Sequence, residues 1–324
     1  MNLQSLAGLP VLRKVPLRSY TTLKAGGAAE FFVCAATADE LSDASSAAQQ
    51  ADVRTTILGW GSNVLPADKG VNGLVILNRA HRIAVARSGE VLADSGCSFQ
   101  ELFLKTAQAS LRGLEFAVGI PGTLGGALVS NAGAYRSCVS EFLTGIEIVM
   151  DGRRQWVEPD WMHFSYRDSV LRRSGAPQAT LVRVRMQLPS CEPQLIYNEA
   201  REYQRQRISK QPPPASAGSF FKNVNDSTLA ERLETLPPPL KVAGVVPAGY
   251  LIEASGLKGF RMGGAMLGSR HANFILNVGN ASASDIRRLS EFAKSTVSDK
   301  FGVALEEEVL FLGNWDGWDS LRPT

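Results

Sequence analysis

Apolar and polar positions alternate between two periods along this chain. Residues 30–35 form a short apolar run that predicts a strand. Thr37 then precedes an alanine-rich stretch with Asp39 and Glu40 in its first turn, where negative charge suits the positive end of a helix dipole. Residues 53–58 read as a second strand, so 30–58 predicts a β-α-β unit with parallel strands. Further strands are expected at 74–77 and 91–94, and a helix at 98–110 that opens with Ser98 and Glu101 at capping-box spacing and is ended by Gly113. A polar, basic helix is expected within 195–214. It stops at Gln211-Pro212-Pro213-Pro214, which cannot continue a helix and marks an expected domain boundary. Residues 224–246, with a second triple proline at 237–239, read as an insertion or flexible loop. Ser284 is expected to cap a helix whose Ile286, Leu289, Phe292, Ala293 and Val297 keep the helical period, with Lys300 in its last turn and Gly302 beyond. Val303, Leu305, Val309 and Phe311 then fall on one face of an expected strand, with Glu306 and Glu308 on the other.

Composition narrows the class of partner. The 324 residues, 44% hydrophobic and 20% charged, suffice for two or three domains with substantial cores. A net charge of +3 with no dense basic run gives no electrostatic footprint for nucleic acid, so a small-molecule partner is expected. Cys34, Cys97, Cys138 and Cys191 form no CxxC pair, which suits reduced thiols in a cytoplasmic protein. The amino terminus lacks the pattern of a secretory signal, and no apolar run approaches the roughly 20 residues that span a bilayer. His81, His163 and His271 have no metal-ligand spacing, so no metal site is expected.

Two glycine-rich segments carry the first chemical signal. In Gly59-Trp60-Gly61-Ser62-Asn63 the freed backbone amides fit an anion-binding nest, and equally an ordinary strand-ending turn. Val64 stands at the third glycine position, so this is not a Rossmann fingerprint. Residues 119–135 are too rich in glycine to predict an ordinary helix. Together the two segments suggest a long dinucleotide lying against bare backbone, the alternative being closely packed turns; neither spacing names the cofactor. Arg167 fits a bidentate carboxylate clamp, although a plain salt bridge is commoner. Ser219 follows a glycine among aromatics and a lysine, as many turn serines do, and Glu308 belongs to an acidic triplet whose default is a solvated face.

The ordered set of these motifs resembles the UDP-N-acetylenolpyruvoylglucosamine reductases. It runs from Pro16-Leu17, Thr21-Thr22 and Gly26-Gly27 through 59–65, 119–135, 166–169, 217–223, 248–277 and 305–309, nearly the whole chain. Gly256-Leu257-Lys258-Gly259 and His271-Ala272 match the form without a long tyrosine-bearing loop. The resemblance implies a mixed α/β and α+β protein: two α/β subdomains of the vanillyl-alcohol-oxidase type holding non-covalent FAD, then an α+β substrate-binding domain. The implied boundaries are 1–72, with 309–324 returning to it, 73–195 and 196–308. Implied FAD contacts are Gly59, Gly61, Ser62, Asn63, Val64 and Leu65 in the first turn. Gly119, Pro121, Gly122, Thr123, Gly125, Gly126, Asn131, Gly133 and Ala134 are those of the second. The family's catalytic positions map onto Arg167, Ser219 and Glu308, and Tyr166, Lys222, Asn223 and Tyr250 are implied substrate contacts.

The implied reaction is FAD-mediated reduction of UDP-N-acetylglucosamine enolpyruvate to UDP-N-acetylmuramate by NADPH, with ping-pong kinetics. It belongs to peptidoglycan synthesis, and so to cell shape and division, in a cytoplasmic monomer that neither enters membranes nor binds nucleic acid. The chain departs from the family pattern at Arg136, where glycine is common, at Val224 in place of proline, and at Leu310 in place of arginine. Two alternatives stay open. One is an oxidase of the same fold, although neither glycine cluster contains a histidine for covalent flavin attachment. The other is a non-catalytic nucleotide-sugar binder, against which the joint presence of Arg167, Ser219 and Glu308 counts.

Overall fold

The computed structural model describes residues 5–210 and 215–316. The prolines at 212–214 and the last eight residues therefore lie outside the described residues, and with them the expected boundary tract and half of the expected carboxyl-terminal return. The chain forms two compact units: Met1–Val15, Ala29–Gly61 and Asn72–Ser209 make the first, and Pro16–Ala28, Ser62–Val71 and Lys210–Thr324 the second.

The first unit contains two sheets. One is built from β1 (Leu12–Pro16), β2 (Ala28–Ala35), β3 (Thr55–Leu58) and β5 (Val71–Asn78), in the order β1-β2-β5-β3, while the intervening β4 (Val64–Pro66) belongs to the second unit. Helix α1 (Ala38–Gln50) starts where the sequence says: the Thr37 hydroxyl accepts the Glu40 N–H at 3.1 Å. Its Leu41, Ala44 and Ala48 bury against Val33, Ala35, Leu74 and Ile76. The two expected strands do share this sheet, but β5 lies between them and is the parallel partner of β3, with Thr55 opposite Leu74.

The other sheet is antiparallel, in the order β9-β8-β10-β7-β6. It comprises β6 (Ile83–Val85), β7 (Glu90–Asp94), β8 (Leu143–Met150), β9 (Arg153–Val157) and β10 (Thr180–Gln187). Its core joins Phe99, Leu102 and Phe103 of α2 (Phe99–Gln108) to Phe116, Ile146, Val184 and Met186, with Ile196 and Ala200 of α4 (Pro193–Lys210). Ser98 caps α2 by accepting the Glu101 N–H at 3.2 Å. The helix stops at Gln108, earlier than Gly113, because Ser110 turns left-handed at φ 61°.

Against expectation, the 119–135 segment contains a helix, α3 (Leu124–Val129). Two local features compensate its poor propensity. Thr123 accepts the Gly126 N–H, and Gly125 lies so close to Ser95 that an added Cβ would sit 3.0 Å from the Ser95 carbonyl oxygen. On β8 the buried Glu147 accepts from Arg154 Nε (2.8 Å) and Arg183 Nε (2.6 Å). Arg154 Nη1 also reaches Asp39 at the start of α1 (2.6 Å).

In the second unit an antiparallel sheet runs in the order β11-β16-β15-β14. Its strands are β11 (Ser216–Ser219), β14 (Arg261–Met262), β15 (Ala265–Leu267) and β16 (Phe274–Asn277). The helices α7 (Ala248–Ala254) and α8 (Ala283–Phe301) supply Leu251, Ile252, Ile286, Leu289, Ala293 and Val297 to the core around Phe220, Phe221 and Ile275. The cap of α8 is Ser282 and not Ser284. Ser282 and Asp285 exchange both bonds of a capping box (3.0 and 3.1 Å), while the Ser284 N–H goes to Asp68 (2.8 Å). Phe292 also departs from expectation, lying 38% exposed and stacked on Phe260 at 4.9 Å.

Residues 224–246 are not a flexible loop. β12 (Val224–Asn225) and β13 (Val245–Val246) pair to close the segment, and α5 (Ser227–Arg232) and α6 (Pro238–Ala243) fill it. Asp226 caps α5, Pro238 occupies the first turn of α6 where its missing N–H costs nothing, and Leu229, Ala230 and Leu236 are buried. The expected strand through Val303, Leu305, Val309 and Phe311 is also corrected. Only β17 (Leu310–Leu312) is a strand, parallel to β4, and 306–308 instead lie beside 220–222: Lys222 N–H donates to Glu306 O, and Glu308 N–H to Phe220 O, both at 2.8 Å. Among the described residues no group of His, Cys, Asp or Glu could hold a metal, no helix is long and apolar enough to cross a membrane, and the four cysteines are free.

Candidate active site

In the first unit, candidate residues gather on the 119–135 segment. Ser165 and Asp168 exchange backbone hydrogen bonds (3.1 and 3.2 Å), making a tight turn that holds Tyr166 and Arg167 at its tip, with Arg167 left-handed at φ 54°. The turn is tied down by Asn131 Nδ2 donating to Ser165 O at 3.0 Å and by Arg173 Nε donating to Asp168 at 2.8 Å. The Arg167 guanidinium donates to the carbonyls of Asn131 and Gly133 and lies over the Tyr166 ring. Those carbonyls aim the positive charge. Gly59 approaches the same segment: a Cβ there would sit 2.5 Å from Thr123 Oγ1.

Sequence reasoning missed two residues here, Tyr203 and Arg207, one turn apart on α4. The Tyr135 and Tyr203 rings stack at 3.7 Å and 2°, and the Tyr203 hydroxyl donates to Glu199; burial first, then that hydrogen bond, push its pKa up. Arg207 donates to Phe116 O (3.3 Å). Burial chiefly, with a contribution from Arg167, pulls its pKa below the usual guanidinium value. Their spacing on α4 was readable, but nothing local tied them to the glycine segment.

In the second unit Ser219 ends β11 opposite Phe274, after Gly218 at φ 78°. Asn273, also missed from sequence, is buried and grips Phe221 from both sides. Lys222 Nζ donates to Glu306, Asn223 Oδ1 accepts the Ala248 N–H (3.3 Å), and the Tyr250 and Thr235 hydroxyls share a hydrogen bond. Ser219 and Glu308 are thus brought onto adjacent segments of one unit. Asn63 joins them: its Nδ2 donates to Glu308 O at 3.1 Å. Leu65 is fully buried in the core of this unit, and Val64 pairs with Leu310.

The glycine segment fits a polar cofactor. Asn131 Oδ1 and Arg207 Nε are buried with no protein partner, and Gly119 and Gly122 take positive φ of 71° and 135° that bring bare backbone to the surface of the segment. A sequence model of an FAD binding domain matches residues 29–157, and residues 208–312 match that of the "UDP-N-acetylenolpyruvoylglucosamine reductase, C-terminal domain". The fold and site define an FAD-dependent oxidoreductase. UDP-N-acetylenolpyruvoylglucosamine reductase of Nostoc punctiforme is 36% identical over 307 residues, 93% of this chain and 86% of the relative. That of Moorella thermoacetica is 37% identical over 95% of this chain and 98% of its own. The crystal structure of the Thermus caldophilus reductase superimposes with a TM-score of 0.73 at 30% identity, covering 94% of this chain and 98% of that one. The chain belongs to the UDP-N-acetylenolpyruvoylglucosamine reductase family.

Proposed function

We propose that this enzyme reduces UDP-N-acetylglucosamine enolpyruvate to UDP-N-acetylmuramate with NADPH as the electron source, as a cytoplasmic, monomeric step of peptidoglycan synthesis serving cell shape and division. The observation that carries the reading is the pairing of the Ser219 and Glu308 segments through the 2.8 Å bond from Glu308 N–H to Phe220 O. Bound FAD would supply the redox chemistry that links NADPH oxidation to reduction of the enolpyruvyl group. Asn131, Thr123 and Arg207, with the backbone of 59–61 and 119–135, would hold it.

The chain's own task is to manage charge and a proton. Hydride addition breaks the carbon–carbon π bond and leaves an electron pair on the adjacent carbon, shared with the carboxylate. Arg167, permanently charged and held by two carbonyls, stabilises that charge. Glu308, protonated, donates a hydrogen bond to the substrate carboxylate. Ser219 delivers its hydroxyl proton to the carbanionic carbon and recovers one from solvent, so one hydride and one proton are consumed per turnover. A serine hydroxyl is a weak acid, which suits only a very basic acceptor of this kind. Tyr166, Lys222, Asn223 and Tyr250 are assigned to the nucleotide diphosphate and sugar.

The test separates the two half-reactions under anaerobic conditions. Ser219→Ala keeps flavin reduction by NADPH and slows flavin reoxidation by the enolpyruvyl substrate by on the order of a hundredfold or more. Equal losses in both halves would refute the assignment.

A further inference from the structure

We propose that Asn63 is a positioning residue for Glu308, its side-chain amide fixing the peptide from which that carboxylate is presented; the proposal rests on Glu308 being catalytic. Asn63 lies in the glycine-rich turn, where the sequence pattern assigns it to the cofactor. In the structure it turns instead to the segment carrying Glu308. Nδ2 donates to Glu308 O at 3.1 Å, and Asn63 O accepts the Leu310 N–H at 3.0 Å.

The arrangement is that of a ladder extended by a side chain. β4 and β17 are parallel from Leu310 opposite Val64 to Leu312 opposite Pro66. A backbone rung cannot reach back to Glu308, and the Asn63 amide supplies one. On the other side Glu308 N–H is bound to Phe220 O at 2.8 Å, so this residue is held at both its N–H and its C=O. The neighbours are fixed too. Glu307 pairs with Lys294 (2.7 Å), Glu306 with Lys222 (2.5 Å), and Val309 is 2% exposed. Beside those anchors, the Asn63 amide restrains the tilt of the Glu308 carbonyl plane. A carboxylate displaced by about 1 Å costs on the order of a hundredfold in rate.

The experiment uses FAD-loaded full-length enzyme carrying Asn63→Asp, which keeps the volume but lacks the donor, and Asn63→Ala. FAD content, the NADPH half-reaction and the reoxidation half-reaction are measured for each, alone and combined with Glu308→Gln. The expected result is retained FAD with reoxidation slowed about tenfold to a hundredfold. In the Glu308→Gln background the same change lowers reoxidation by less than about twofold, because residues acting as one unit are not additive. Fully multiplicative losses, or loss of FAD with normal reoxidation once the flavin is restored, would overturn the proposal and return Asn63 to the cofactor. Native reoxidation by Glu308→Gln alone would sink the reading of Glu308 itself, an outcome distinct from either.

Discussion

The side chain of Asn273 closes on the backbone of Phe221 from both directions. Its Oδ1 accepts the Phe221 N–H at 2.9 Å and its Nδ2 donates to the Phe221 carbonyl at 2.8 Å. Both residues are buried, so no water stands ready to replace either bond. Asn273→Ala therefore strands two buried polar groups and should cost about 2–4 kcal/mol, read by denaturant unfolding. Because the lost bonds hold Phe221, two residues from Ser219, the same change should slow the Ser219-dependent half-reaction more than flavin reduction. Equal slowing of both would leave Asn273 a merely structural residue.

Gly59→Ala is expected to disturb flavin loading. The new methyl would meet Thr123 Oγ1 at 2.5 Å, and that oxygen caps α3 through the Gly126 N–H. Relief requires the threonine to rotate out of its cap or the turn to move, at about 1–3 kcal/mol. Purified variant should carry less FAD per chain by absorbance and unfold at lower temperature; native loading would show that the turn yields freely.

Arg207→Met tests what the buried guanidinium is for. Its Nε has no protein partner, and burial already disfavours its charge. The variant should fold as well as the native chain when flavin-free, and bind FAD about tenfold more weakly, the scale of one charge-assisted hydrogen bond. Titration of the apoprotein followed by flavin fluorescence decides it. Unchanged affinity would restrict Arg207 to its bond with the Phe116 carbonyl.

Glu147 sets a limit at low pH. Burial raises its pKa, but the hydrogen bonds from Arg154 and Arg183 outweigh that and hold it below the usual carboxylate range. A folded pKa below the unfolded one, about 4.3 for glutamate, gives stability that is full above that value and is lost as pH falls toward the folded one. Glu147→Gln should thus be less stable than native by about 1–3 kcal/mol at pH 7, with the gap narrowing below about pH 4. A gap that stays constant across that range would remove the ion network as its cause.

What could be read in advance was local. Thr37 and Ser98 cap their helices because the bond partner lies three residues on, within reach of any inspection of spacing. Ser282 and Ser284 were harder, since the choice turns on Asp285 closing the box and on Asp68, far away in the chain, taking the Ser284 N–H. The helix at Leu124–Val129 was illegible because its glycines are justified by Ser95 and not by propensity. Alternation at 303–311 looked like one strand, yet its residues divide between a bridge of Glu307 to Phe221 and the pairing of Leu310 and Phe311 with Val64 and Leu65. For the candidate site, ordered motifs supplied Arg167, Ser219 and Glu308 as residues. Their settings came from long-range bonds to Gly133, Asn273 and Asn63 that no window of sequence contains.

The rung that joins Val224 to Val246 puts the exit and re-entry of the α5–α6 excursion at one place. Chain changed between Leu233 and Pro237 hangs from that closed stem, yet it reaches Tyr250 directly, because the Thr235 hydroxyl shares a hydrogen bond with the Tyr250 hydroxyl. Descendants of this enzyme that remodel that outgrowth would retune the Tyr250 hydroxyl while the stem at Val224 and Val246 keeps its register.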